Sequence, residues 1–289
     1  MSKKINCQIC DKNIVNLYTV NSLHSEEMDN KYHIDYCDNC QIGYTMPFGI
    51  SNDYYSDDNY GYDRFKAQKN EKNFRNNFYK KITRKYAKEK VLDVGCMFGD
   101  FLLEIKKEYN VSGVELSKEP SDYVNNICIP CFNGTIEEFS KNNKQTFDTI
   151  TSFHCLEHTT NAMSFFSSVR EILKDDGVVI ISVPNFRKNQ FFGRFWGWIL
   201  APAHQYHFSS KSLKIIAKKN NFEIIDVKKV GGDASFLISS IYNLLGIKGG
   251  KKFNTRLFTI VHNLTYWFFS RFWFYIGSEE VVLIAKKKN

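Results

Sequence analysis

From residue 91 onward, short strand-like apolar runs alternate with longer stretches of helical pattern. The short runs, Val91–Val94, Val111–Glu115, Ile127–Phe132, Thr149–Phe153 and Val178–Val183, predict strands buried on both faces. The stretches between them, Phe101–Lys107, Ser121–Asn125, Ile136–Phe139 and Ala162–Lys174, predict helices that cover those faces. Ser209–Asn220 continues as a helix, Phe222–Val230 and Glu280–Ala285 as strands, and Arg64–Tyr86 precedes the series as a further helix. Strands that alternate with helices pair in parallel through right-handed crossovers. The pattern therefore predicts an α/β fold over residues 51–289, with a seven-stranded sheet and helices on both faces.

The first 50 residues read differently. Tyr18–Val20 and Tyr32–Tyr36 alternate like the strands of a hairpin. Cys7-Gln8-Ile9-Cys10 and Cys37-Asp38-Asn39-Cys40 stand on either side of it. Each C-x-x-C pair can turn two thiolates onto one ion, and two such knuckles fill a tetrahedral site with no open position. The expectation is a zinc ribbon over residues 1–50. Cys7, Cys10, Cys37 and Cys40 would hold a structural zinc that supplies much of the folding free energy of so short a segment. His24 and His33 are surplus to four sulfurs. A third pair, Cys128 and Cys131, falls in the apolar run expected as a strand, where side chains alternate between faces. It reads as two buried thiols.

Composition narrows the class. The chain has 289 residues, 43% hydrophobic and 16% aromatic, enough to bury one large core beside a small appendage. No apolar stretch follows Met1–Cys7, which predicts no secretory leader and a reducing, cytoplasmic setting. The cysteines are then ligands or buried thiols rather than disulfides. The net charge of +8 is concentrated in Lys211–Asn289, where 14 Lys and Arg face 5 Asp and Glu. Such a basic end fits an anionic partner or a solvated lysine-rich face. The ribbon segment carries 4 Lys against 6 Asp and Glu. That balance is wrong for gripping phosphates, so nucleic acid is not the expected partner.

The chemistry-bearing motif closes the first predicted strand of the sheet: Asp93-Val94-Gly95-Cys96-Met97-Phe98-Gly99-Asp100. Glycines at 95 and 99 allow a sharp turn close to a ligand, and the helix that follows points its first N–H groups into the same crevice. Position 97 is Met, which departs from G-x-G-x-x-G. Glu115, at the end of the second strand, can accept both hydroxyls of a ribose. Val91-Leu92-Asp93-Val94-Gly95-Cys96-x-x-Gly99 resembles motif I of class I S-adenosylmethionine (SAM)-dependent methyltransferases. Phe147-Asp148-x-Ile150 with Cys155-Leu156-Glu157-His158 is similar to their fourth-strand motif, and Ile172–Val178 to the turn before their fifth strand. His204-Gln205-Tyr206-His207-Phe208-Ser209 and Cys37–Pro47 resemble segments of one subgroup, common in bacterial surface-glycan and modified-sugar pathways, that carries a four-cysteine zinc ribbon. The likeness covers most of the chain and is weakest from Gly231 to Ser278. Met97, where a small residue is usual, and Asp175-Asp176, in place of Pro-Gly, depart from it.

The resemblance implies a Rossmann-like class I methyltransferase sheet with SAM as cofactor. It places Asp93, Gly95, Cys96 and Gly99 beside the methionine moiety, Glu115 at the ribose and Leu116 beside the adenine. Thr135 and Ile136 would flank the adenine ring, and His154 and Cys155 would lie under the sulfonium end. Methyl transfer to a hydroxyl also needs a base, and imidazole suits neutral pH. His204 and His207, after the fifth strand, and His158, after the fourth, are the candidates, with Glu157 and Tyr206 in reserve. Aromatic segments at about 186–208 and 233–278 are expected as lids over the acceptor. Leu257–Ile276 reads either as a lid helix or, beside Lys248, Lys251, Lys252 and Arg256, as an amphipathic helix on the inner face of the membrane. His262, Asn263 and Arg271 argue against a simple transmembrane span. The expected acceptor is a small molecule or glycan, nucleotide- or lipid-linked, methylated on a sugar hydroxyl. A ribbon-bearing rRNA methyltransferase and a non-catalytic partner of the same fold are the competing readings.

Overall fold

The computed structural model describes residues 6–21, 31–49, 74–189, 193–195, 199–231 and 278–288. Residues 64–73 of the expected first helix and residues 232–277, including Leu257–Ile276, lie outside the described residues. The described chain runs β1 Val15–Asn21, β2 Lys31–Cys37, β3 Ile42–Met46, α1 Phe74–Tyr86, β4 Lys90–Val94, α2 Asp100–Ile105, β5 Asn110–Glu115, α3 Lys118–Asn126 and β6 Cys131–Asn133. It continues α4 Ile136–Ser140, β7 Phe147–Phe153, α5 Ala162–Ile172, β8 Leu173–Pro184, β9 Tyr206–His207, α6 Ser210–Lys219, β10 Phe222–Gly231 and β11 Ser278–Lys287.

Seven strands form one sheet in the order β10-β11-β8-β7-β4-β5-β6. The pairs β4–β5, β4–β7, β5–β6 and β7–β8 are parallel. The order runs outward from β4 in both directions, to β5 on one side and β7 on the other. Such a reversal opens a crevice at the strand carboxyl ends. The central strands are apolar because helices cover both their faces: Val91, Leu92, Ile150 and Val179–Ile181 are all buried. Helix α5 shows the coupling between pattern and packing. Phe165, Phe166, Val169 and Ile172 recur on one face and are buried, and the Asn161 side chain caps the first turn by accepting the Ser164 N–H.

The fold class agrees with the apolar pattern, and two local expectations are corrected. Ile127–Phe132 is not one strand. Helix α3 runs to Asn126, Cys128 sits exposed in a left-handed turn with φ +61°, and only Cys131–Asn133 pairs with β5. The apolar residues Ile127 and Ile129 pack against the cluster around α2 rather than forming a strand. The segment Leu173–Gly177, expected as a turn, is an irregularity inside β8. Leu173 pairs with Phe147 and Val178 with Thr149, so Lys174–Gly177 bulges out. Asp175 and Asp176, which stand where Pro-Gly is usual, meet Lys287 at 3.2 Å and Lys286 at 2.7 Å.

The chain divides into two compact units, one of Met1–Gly49, Val183–Leu213 and Lys228–Val282, the other of Ile50–Ser182, Lys214–Val227 and Leu283–Asn289. In the first unit β1, β2, β3 and β9 form a second sheet in that order, with β1–β2, β2–β3 and β3–β9 antiparallel. The hairpin expected from Tyr18–Val20 and Tyr32–Tyr36 is β1–β2. Strand β9 is unforeseen: Tyr206 pairs with Tyr44 and His207 with Gly43. The ribbon strands and the segment after β8 therefore share one sheet and one apolar cluster, in which Val20, Ile34 and Tyr36 pack with Phe186, Ile199 and Ala201. Among the described residues no helix is long and apolar enough to cross a membrane.

Candidate active site and metal centre

Asp93 ends β4 and Glu115 ends β5, and both carboxylates are buried. The turn after β4 reverses at Gly95, φ +77°, where a β-carbon would stand 2.6 Å from the Cys155 sulfur. Only glycine lets the turn pass so close to the loop after β7. The Gly95 N–H donates to the Val114 carbonyl at 2.8 Å. Met97 follows with φ +49°, a left-handed value uncommon for a side-chain-bearing residue. That conformation is answered by a bond: the Met97 N–H donates to Glu115 Oε2 at 2.9 Å, and the Ser117 N–H donates to Oε1 at 2.9 Å. The Thr151 hydroxyl donates to Asp93 Oδ1 at 2.7 Å. Burial, with the Glu115 charge adding to it, pushes Asp93 up to about 7 even though Thr151 works the other way. Burial raises Glu115 above the usual carboxylate range as well.

The fold thus brings Asp93, Gly95, Glu115 and Cys155 into one neighbourhood. Leu116 is half-buried, and its carbonyl and that of Glu115 accept the Asn133 amide at 2.9 and 3.1 Å. Thr135 is occupied as a helix cap. Its hydroxyl accepts the Glu138 N–H while Glu138 accepts the Thr135 N–H, and Ile136 behind it is buried. The side chain of Cys96 turns into the apolar cluster with Phe101, Leu102 and Val124. Thr151 and the Met97 and Ser117 amides complete the setting of the two carboxylates. Backbone donors have no signature in a sequence, and Thr151 reads there as an ordinary strand residue.

The loop after β7 carries a second group of ionisable residues. His154 has φ +52°, and its N–H donates to the Ser182 carbonyl at 3.0 Å. Its Nδ1 lies 3.3 Å from Oε1 of Glu157, a fully buried carboxylate on the short turn Leu156–His158. Among the described residues no hydrogen bond reaches either Glu157 oxygen. An unbonded buried carboxylate is costly, and the His154 imidazole lies beside it. Burial raises the Cys155 thiol well above its ordinary range, which keeps it neutral.

His204 and His207 belong to the other unit, where both are buried. The Thr45 hydroxyl donates its one proton to the His204 carbonyl at 2.6 Å. His207 Nε2, 2.9 Å from the same oxygen, must then be the donor of that second bond. Burial holds His207 down to about 3, so its imidazole is neutral.

In the same unit the sulfurs of Cys7, Cys10, Cys37 and Cys40 all lie within 4.8 Å of one another, and all but Cys10 are buried. Burial raises Cys37 to about 11 and Cys40 further still. Four sulfurs this close could hold one cation between them as thiolates, and an all-sulfur set suits a soft divalent ion. Tyr44 ties the first knuckle to β3, its hydroxyl 3.2 Å from both the Cys7 sulfur and the Gln8 N–H. Tyr206 reaches Gln8 from β9.

The sheet order and the turn at its reversal point place the chain among doubly wound α/β proteins with a ligand crevice at the strand carboxyl ends. The family described as "Methyltransferase domain" matches residues 57–227, more than half of the chain, and the chain belongs to it. A ubiquinone biosynthesis O-methyltransferase of Actinobacillus pleuropneumoniae is 36% identical over 109 residues, 34% of this chain and 46% of that protein. The chain thus spans about half the length of that relative. Among solved structures, a SAM-dependent methyltransferase from Archaeoglobus fulgidus superposes with a TM-score of 0.53 at 20% identity, over 78% of this chain and 99% of that one. A phosphoethanolamine N-methyltransferase 2 of Haemonchus contortus, in complex with SAM, gives 0.58 at 17% identity, over 96% and 69%. At such identities the likeness is one of fold.

Proposed function

We propose that the protein is a SAM-dependent methyltransferase that methylates a hydroxyl of a small acceptor, a sugar, nucleotide sugar or surface-glycan precursor. The observation that carries the reading is the pair of buried carboxylates at the ends of adjacent strands, with the Met97 amide of the glycine turn bonded to Glu115. SAM supplies a methyl group already activated on a sulfonium, so the protein's task is largely positioning. Glu115 holds the ribose hydroxyls with the lone pairs that Met97 and Ser117 leave free. Asp93 sets a negative charge beside the cationic methionine end. Gly95 and Cys155 give that end a close-fitting wall, and Cys96 and Gly99 shape the turn from below. Leu116, Thr135 and Ile136 border the adenine, Thr135 through its backbone because its side chain is committed to the cap.

For the base we place His158 and His204 ahead of His207, whose Nε2 is engaged with Thr45 and whose imidazole resists protonation down to about 3. The four ribbon cysteines hold a structural zinc. The basic C-terminal segment, with 257–276, serves an anionic or lipid-linked acceptor at the cytoplasmic face of the membrane. A second reading follows from the relatives, which are O-methyltransferases of ubiquinone biosynthesis: a hydroxyl of a ubiquinone precursor as the acceptor.

Incubation with methyl-labelled SAM and separate pools of nucleotide sugars, lipid-linked glycans, dihydroxybenzoates and RNA tests the proposal. Label in a sugar ether is the expected result. Label in the dihydroxybenzoate pool selects the second reading, and label in RNA overturns both. Binding of NAD without binding of SAM, by calorimetry, overturns the cofactor assignment itself.

A further inference from the structure

The sequence pairs Cys128 with Cys131, but Cys128 is exposed in a turn and the Cys131 sulfur has a different neighbour. Cys131 opens β6, and its sulfur lies 3.7 Å from that of Cys96 in the glycine turn. The two thiols meet above Gly113 of β5. A β-carbon there would fall 2.6 Å from the Cys96 sulfur and 3.2 Å from that of Cys131, so the absence of a side chain at 113 makes room for the pair. Cys96 is buried and Cys131 is part-exposed. The backbone of Cys131 is clamped on both sides by Asn125, whose side chain accepts its N–H at 3.0 Å and donates to its carbonyl at 2.9 Å. The Cys96 N–H, by contrast, has a long bond of 3.4 Å to Val114.

We propose that Cys96 and Cys131 are a redox modification site: a hydroperoxide oxidises them to a disulfide that pulls the glycine turn out of its SAM-binding shape. The effect on SAM rests on the cofactor assignment above; formation of the disulfide does not. The part-exposed Cys131 is the entry point. The Cys96 thiol and Ser121, whose hydroxyl lies 3.5 Å from the Cys131 sulfur, favour the Cys131 thiolate over that of Cys96. That thiolate attacks the terminal peroxide oxygen, breaking the O–O bond and giving a sulfenic acid and an alkoxide, or hydroxide from hydrogen peroxide, which takes up the proton released by the Cys131 thiol. The Cys96 sulfur then displaces the sulfenic oxygen as water and forms the S–S bond. In total two thiols lose two electrons and two protons, and one hydroperoxide becomes water and an alcohol, or two waters if it is hydrogen peroxide. A disulfide needs the sulfurs at about 2.05 Å. With Cys131 clamped, the turn yields most of that distance, and Met97, the next residue, carries the N–H that holds Glu115.

The test uses the full zinc-loaded chain treated with hydrogen peroxide, then peptide mapping and calorimetry with SAM before and after reduction. A Cys96–Cys131 cross-linked peptide is expected, with SAM affinity lowered about tenfold or more and restored by dithiothreitol. Cys131→Ser and Gly113→Ala should suppress the cross-link, and Cys128→Ser should not. A Cys128–Cys131 cross-link, or none at peroxide levels that oxidise surface thiols, overturns the proposal. So does a cross-link that leaves SAM affinity unchanged. Failure of the reduced protein to bind SAM would instead sink the cofactor assignment, and the peptide map would still decide whether the disulfide forms.

Discussion

Glu115 is a buried carboxylate held by the Met97 and Ser117 N–H groups, one on each oxygen, with the Leu116 N–H and the Ser117 hydroxyl also favouring its charged form. The remaining lone pairs are fixed in direction before any ligand arrives. Glu115→Ala should therefore weaken SAM by about tenfold or more while leaving the far-UV spectrum unchanged. Calorimetry decides it, and wild-type affinity in the mutant would end the ribose assignment. Asp93 adds a pH dependence. Its folded value of about 7 lies above the unfolded value of about 3.9. The ligand-free fold thus keeps a proton that the unfolded chain releases, and it loses this stability as pH climbs from about 4 through about 7. A cationic ligand favours the carboxylate. SAM affinity should accordingly rise with pH up to about 7 and then level off, with Asp93→Asn giving a flat profile. A wild-type profile that is already flat would show that Asp93 does not sense the cofactor's charge.

At the scale of elements, the bond from Thr45 to His204 and His207 joins β3 to the segment around β9. Thr45→Val removes a buried hydroxyl that serves two partners and should cost about 1–3 kcal/mol, seen as a lower melting temperature with SAM affinity intact. Loss of SAM binding with an unchanged melt would contradict that assignment. This junction also shows where sequence reading stops. Strands β4 and β8 were legible because burial on both faces favours near-continuous apolar runs, β5 and β7 because their shorter apolar stretches alternate with helical ones, and the glycine turn because Gly95 has no room for a side chain. Strand β9 is two residues long, too short for any period, and its identity comes from pairing with Tyr44 and Gly43 across the chain. The run Ile127–Phe132 misled for a related reason. Apolar residues that fill the gap beside a helix end look the same in sequence as a buried strand. Of the candidate site, the two carboxylates and four ribbon thiols could be read from spacing. Their holders could not, since Met97 and Ser117 act through the backbone.

For the whole molecule, the four thiols are expected to bind one zinc per chain, because their sulfurs all lie within 4.8 Å of one another. Metal analysis should find that zinc lost in Cys37→Ser and kept in Cys128→Ser. The reverse result would move the site. Chelation should destabilise the unit that contains β1, β2, β3 and β9, including the backbone around His204 and His207, before it affects the glycine turn. Hydrogen exchange followed residue by residue would show the order, and simultaneous loss of protection at Val91–Val94 would contradict it.

A sheet whose last strand is encoded 162 residues after its partner is also a constraint on inheritance. Recombination between related genes that exchanges the stretch between β3 and β8 leaves this pairing intact, provided the ribbon and the segment after β8 come from the same parent. A crossover that mixes parents there would set one lineage's Tyr44 and Thr45 against another's Tyr206 and His207. A gene shortened to begin at residue 51 would leave Phe186 and Tyr206, both buried now, without their cover. Chimeras built both ways should separate accordingly in soluble yield, the matched pairs folding and the mismatched and shortened forms aggregating.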